Sequence, residues 1–150
     1  MSDLRDLYQQ VILDHYRAPR NFGSLEPMSA CAEGYNPLCG DQVKVYLRTD
    51  GEVVDAVTFE GVGCAISTAS ASLMTEAVRG LERPQAEALI ASFLKLMTGD
   101  GNGAAGVDLG KLEVLSGVKD YPVRIKCATL AWHALRAALE GGDSETVSTE

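Results

Sequence analysis

Val43-Lys44-Val45-Tyr46-Leu47-Arg48-Thr49-Asp50-Gly51-Glu52-Val53-Val54-Asp55-Ala56-Val57-Thr58-Phe59 is the stretch on which the fold turns. Val43, Val45 and Leu47 alternate with Lys44, Tyr46 and Arg48, the period of two expected of a half-buried strand. Asp50-Gly51 is a hairpin signal, and residues 53–59 read as the returning strand. An antiparallel hairpin therefore sits in the middle of the chain. Just before it, Tyr35-Asn36-Pro37-Leu38-Cys39-Gly40-Asp41 reads as a turn, because Pro37 restricts its neighbour and Gly40 permits unusual dihedrals. A short extended piece at about 28–32 offers a third strand.

Outward from the hairpin the period changes to that of helices. Leu4, Leu7, Tyr8, Val11, Ile12 and Tyr16 recur at helical spacing up to Ala18-Pro19. Gly61-Val62-Gly63-Cys64 leads into a helix at about 66–78, whose Ala69, Ser70, Ala71 and Ser72 would let another backbone approach. Pro84 suits the first turn of the next helix, with Ala86, Leu89, Ile90, Phe93, Leu94 and Met97 on one face. Residues 99–106 are glycine-rich but lack the Gly-Lys-Ser/Thr of a phosphate loop, so they read as a connector. Asp108 could cap a short helix ending at Gly117. Pro122 opens the last helix, where Cys127, Ala131, Ala134, Leu135 and Ala138 share a face. The expectation is an α+β domain over residues 1–140, a small antiparallel sheet of two to three strands packed against four to five helices. Residues 141–150 are expected to be a flexible acidic tail.

The 150 residues suit one compact domain, and a 46% apolar composition supplies a core. A net charge of −8 argues against nucleic acid and against an anionic membrane surface, both of which demand a basic face. No apolar run approaches the length of a membrane span, and the charged start, Met1-Ser2-Asp3-Leu4-Arg5-Asp6, lacks a signal-peptide core. A cytoplasmic location is expected.

Four cysteines, Cys31, Cys39, Cys64 and Cys127, are then the candidates for chemistry. In a reducing compartment thiols serve metals or reactions more often than cross-links; inert buried thiols and two disulfides remain the alternatives. Three of the four stand where elements begin or end. Helix amino termini favour anions, so Cys64, and by position Cys127, are expected to favour the thiolate. Cys39-Gly40-Asp41 puts two anionic donors one residue apart. Thiolates plus one carboxylate suit four-coordinate zinc. No Cys-x-x-Cys pair is present, which weakens a purely structural zinc site, and the spacing alone does not choose among these readings.

Four motifs narrow the choice: Asp14-His15-Tyr16-Arg17-Ala18-Pro19-Arg20-Asn21, Asn36-Pro37-Leu38-Cys39-Gly40-Asp41, Gly61-Val62-Gly63-Cys64-Ala65-Ile66-Ser67 and Arg124-Ile125-Lys126-Cys127-Ala128-Thr129-Leu130-Ala131-Trp132. In order and spacing they resemble the U-type iron–sulfur cluster assembly proteins, from about Leu7 to Leu139. The scaffold branch of that family carries a His immediately before the last ligand cysteine. Here Lys126 stands in that place, and an ammonium has no lone pair to offer a metal. Lys126 and the long segment 83–117 make the chain similar to the SufU branch.

The resemblance implies a zinc ion held by Cys39, Asp41, Cys64 and Cys127, and a sulfurtransferase fed by a pyridoxal-phosphate-dependent cysteine desulfurase of the SufS type. It implies that Cys39 accepts persulfide sulfur, that Arg124 steadies anionic sulfur nearby, and that cluster assembly machinery lies downstream. Two other functions stay in view: a scaffold carrying a transient [2Fe–2S] cluster, which Lys126 argues against, and a zinc adaptor that activates the desulfurase without taking sulfur. Cys31 falls outside the motifs and reads as a partly buried bystander. His15 and His133 read as structural or surface residues, and Trp132 as packing.

Overall fold

The computed structural model describes residues 2–37, 40–98, 112, 115, 118, 121–140 and 143–148. Helix α1 spans Ser2–Arg17, strands β1, β2 and β3 span Ala30–Asn36, Asp41–Asp50 and Val53–Val62, and helix α2 spans Ala65–Val78. Helices α3 (Arg83–Thr98) and α4 (Pro122–Leu139) follow, and strand β4 (Asp143–Ser148) closes the chain.

The hairpin is where the alternation puts it. Asp50 pairs with Val53, leaving Gly51-Glu52 as a two-residue loop. Gly51 has φ +64, the position a II′ turn reserves for glycine. Val43, Val45, Leu47, Val57 and Phe59 point inward and are buried. The pairing continues Gln42 with Val62 and Asn36 with Asp41, so β1, β2 and β3 form an antiparallel meander. The early extended piece is longer than expected and begins two residues later, because the turn at Pro37 lets β1 pair along its whole length with β2.

Beyond the meander, β4 joins the open edge of β1 in parallel, giving the order β3-β2-β1-β4. This differs from the flexible acidic tail expected for 141–150. An edge strand presents unpaired N–H and C=O groups whatever sequence approaches it, and the Thr146-Val147 pair has the β-branching that suits a strand. Polarity alone does not register that opportunity.

The sheet's inner face is covered by α4. A Cβ on Gly34 would lie 2.9 Å from Leu130 Cδ1, so this glycine lets the helix come close to β1. α2 lies between α4 and α1, and its small residues Ala69, Ser70, Ala71 and Ser72 are all buried, Ser70 against α4 and Ser72 against α1. α3 adds Phe93, whose ring stacks on Trp132 at 4.1 Å between centroids, and α1 packs on α2. Ala86, Leu89, Ile90, Phe93 and Met97 form the buried face of α3, as their spacing requires. Leu112, Leu115 and Val118 are buried in the same core. The remainder of the glycine-rich connector and of the short helix expected at 108–117 lies outside the described residues. Four helices are thus present among the described residues, and none is long and apolar enough to cross a membrane.

Candidate metal centre

Three ends of secondary structure meet at one place: the start of β2, the start of α2 and the second turn of α4. Asp41 opens β2. It follows Gly40, at φ +75, whose N–H donates to the Asn36 carbonyl at 2.8 Å and closes the turn. Asp41 is only 2% exposed, an unfavourable place for a carboxylate without compensation. Part of that compensation is visible: Oδ1 accepts the Cys64 N–H at 3.1 Å.

Cys64 is the N-cap of α2, with extended dihedrals. Its sulfur takes the role that Ser or Asp usually fills, accepting the Ser67 N–H at 3.4 Å. The free N–H groups and the positive end of the helix therefore face this sulfur. Cys127 comes from α4, which starts at Pro122 because proline sacrifices nothing at a first helical turn. Cys127 is buried, and its thiol lies 3.8 Å from the Val123 carbonyl oxygen.

One donor atom from each of Asp41, Cys64 and Cys127 lies within 4.8 Å of the other two. Cys64 Sγ and Asp41 Oδ2 are 3.8 Å apart. Donors held at about 2.3 Å for sulfur and about 2.0–2.2 Å for oxygen by one tetrahedral ion would stand about 3.5–3.8 Å apart. Two sulfurs and an oxygen at this spacing fit a metal ion, and soft sulfur with one carboxylate is a donor set that zinc accepts. None of Cys31, Cys64 and Cys127 is in a disulfide. Cys39 lies outside the described residues.

Arg124, in the exposed first turn of α4, answers the negative charge. Its guanidinium is pushed further above its ordinary range, first by the charge of Cys64. Burial opposes this, while the charge of Cys127 and hydrogen bonds to both sulfurs add to it. Lys126 is half-buried beside Cys127.

The other candidates lie elsewhere. Cys31 is buried on β1, paired across the sheet with Tyr46. Tyr46 donates to the Glu60 carboxylate, which with burial and the Glu60 charge pushes its phenol up to about 12. His15 is buried, with Nδ1 2.7 Å from Ser72 Oγ, and holds α1 to α2. His133 is half-buried and its Nδ1 lies 3.1 Å from an Arg136 nitrogen. Gly63 and Ser67 were not singled out by residue type, although both touch the centre. Ser67 could have been found as the third helical residue after the Cys64 cap.

Comparison with known proteins identifies the family. Residues 7–141 match the family described as NifU-like N terminal domain. The chain is 43% identical to the zinc-dependent sulfurtransferase SufU of Bacillus subtilis, over 95% of this chain and 97% of that protein. It is 41% identical to the iron–sulfur cluster assembly scaffold protein IscU of Streptococcus pyogenes, over 93% and 87%. A crystal structure from Fervidobacterium islandicum, described as a candidate cluster assembly scaffold for the SUF system, superposes with a TM-score of 0.80 at 34% identity, covering 89% of this chain and 96% of that one. With a shared fold and near-complete coverage, the chain belongs to the NifU-like N-terminal domain family of U-type iron–sulfur cluster assembly proteins.

Proposed function

We propose that this protein is a zinc-dependent sulfurtransferase of the SufU kind, accepting persulfide sulfur from a cysteine desulfurase for iron–sulfur cluster biogenesis. The observation that carries the reading is the convergence of Asp41, Cys64 and Cys127, with the Arg124 guanidinium against both sulfurs. Cys39 stands two residues before Asp41, at most about 7 Å along the chain, so sequence distance allows it the same ion. Asp41, Cys64, Cys127 and Cys39 would hold the zinc, which when bound keeps the thiols anionic and sheltered.

The sulfur acceptor is Cys39. Its thiolate attacks the outer sulfur of a persulfide on the desulfurase, the sulfur–sulfur bond there breaks, and the desulfurase cysteine leaves as a thiolate. Cys39 is left carrying the persulfide, and no oxidant or reductant is consumed. Arg124 supplies fixed positive charge next to sulfur that is negative throughout, through charge-assisted hydrogen bonds. The SufS type of partner and a cytoplasmic location accord with this chemistry, since a reducing compartment preserves reactive thiols.

A scaffold function, with a transient [2Fe–2S] cluster on the same residues, is supported by the IscU-named relative. Lys126 weighs against it, because its ammonium cannot ligate iron. The deciding experiment incubates the protein with a pyridoxal-phosphate-dependent desulfurase and cysteine, then measures its intact mass and the rate of desulfuration. Wild type should gain one sulfur and accelerate turnover, whereas Cys39→Ala should do neither. A Cys39→Ala protein that accepts sulfur as the wild type does would remove Cys39 as acceptor. Acceleration by a wild type that never gains mass would make it an adaptor.

A further inference from the structure

Gly63 stands between the end of β3 and Cys64, and the side chain it lacks shapes the centre. A Cβ built there would lie 3.0 Å from Asp41 Oδ1, 3.1 Å from Ser67 Oγ and 3.2 Å from Ser67 Cβ. Those separations are shorter than the about 3.5–4.0 Å of comfortable carbon contact, and every atom concerned belongs to a side chain at the centre. The Gly63 backbone itself is outside the left-handed region, so alanine suits its dihedrals. Gly61 is different: it has φ +151, and its Cβ would overlap the Gln42 carbonyl oxygen of β2. Gly61 serves the sheet. Gly63 leaves room for a carboxylate.

Both oxygens of that carboxylate have contacts at the centre. Asp41 Oδ1 accepts the Cys64 N–H at 3.1 Å, in the space a Gly63 methyl would invade. Oδ2 is the oxygen 3.8 Å from Cys64 Sγ. Ser67 bounds the same space from α2, while its own N–H holds the Cys64 sulfur at 3.4 Å. We propose that Gly63 and Ser67 form a seat for the Asp41 carboxylate, committing Oδ1 to the Cys64 amide so that Asp41 meets the metal through Oδ2 alone. Gly63 is thereby a positioning residue for the metal centre, and the inference rests on the zinc reading above. A methyl at 63 cannot retreat from Asp41 without pressing on Ser67, so the Asp41 carboxylate or the Ser67 side chain has to give by a few tenths of an ångström.

The test titrates the apo-protein with zinc against a chromophoric chelator for wild type, Gly63→Ala, Asp41→Ala and the double variant. The visible absorption of cobalt(II) bound in zinc's place is recorded in parallel. Gly63→Ala should bind zinc about 10–100-fold more weakly, the usual cost of disturbing a residue that orients a ligand. Its cobalt spectrum should move toward that of Asp41→Ala. The double variant should bind no more weakly than Asp41→Ala alone, because the carboxylate the methyl displaces is already gone.

Wild-type affinity in Gly63→Ala beside a weakened Asp41→Ala would overturn the seat and leave the ligand reading standing. Losses that multiply in the double variant would also overturn it. Wild-type affinity in Asp41→Ala would sink the ligand reading, and the seat with it. If Gly63→Ala fails to fold while the double variant folds, the clash with Asp41 is confirmed. If both fail to fold, glycine is a backbone requirement and the proposal is wrong.

Discussion

Along α2, Ser70 and Ser72 bury their hydroxyls against Trp132 and His15, whereas Cys64, at the start of the same helix, gathers with Asp41 and Cys127. Ser70 accepts the Trp132 indole N–H at 2.9 Å and donates to the Ala128 carbonyl at 2.5 Å. Ser72 accepts the Arg20 N–H at 2.8 Å and shares a 2.7 Å hydrogen bond with His15. Thr75, one turn on, donates to the Ser72 carbonyl and accepts from Asn21. These are small uncharged groups, each paired with another, and they join α1 and α4 to α2. At the helix start the groups are acidic and crowd together, with Arg124 as the cation against them. Polar burial that builds architecture ends here in hydroxyl hydrogen bonds, with the one buried imidazole, His15, also 3.7 Å from the Glu76 carboxylate. Polar burial that prepares chemistry collects like charges and calls for a cation.

The contrast predicts that the two regions fail separately. The largest effect on stability belongs to Trp132, fully buried and stacked on Phe93. Trp132→Ala should lower the unfolding free energy by about 3–5 kcal/mol in a denaturant titration. A loss below about 1 kcal/mol would mean the core is not centred there. Next comes Ser72→Ala, which removes the hydroxyl shared by the Arg20 N–H and His15 Nδ1 and should cost about 1–3 kcal/mol. Zinc affinity should be unaffected in that variant; a parallel loss of zinc would show that the two regions are one.

The smallest effect concerns His133, whose pKa is lowered first by burial and then by Arg136. The unfolded chain therefore takes up this proton before the folded one does. Its contribution to stability is complete above the ordinary value of about 6.5 and is lost as pH falls toward the folded value. An NMR titration should place the folded midpoint below that ordinary value; a midpoint above it would contradict the assignment.

The architecture was legible where local chemistry decides it. Alternation at 43–59 located the hairpin, and helical spacing at 86–97 located the face of α3, because each pattern is fixed by which side of an element meets the core. β4 was not legible: what recruits it is the open edge of β1, a property of the folded sheet rather than of Asp143–Ser148. At the metal centre, Cys64 and Cys127 declared themselves as thiols at element starts, and Asp41 by standing beside Cys39. Their meeting, and the space kept by Gly63, depend on pairings such as Asn36 with Asp41 and Gln42 with Val62. No local pattern carries such long-range registers. His15 looked like a structural or surface residue, and the surface option disappears only once Ser72 is seen beneath it.

Elemental analysis of the untagged protein, purified without added metal, addresses the metal centre most directly. Wild type should carry one zinc per chain and little iron, and Cys64→Ala should lose that zinc while keeping its fold. A colourless wild type without zinc, or a brown one whose metal is iron, would contradict the account.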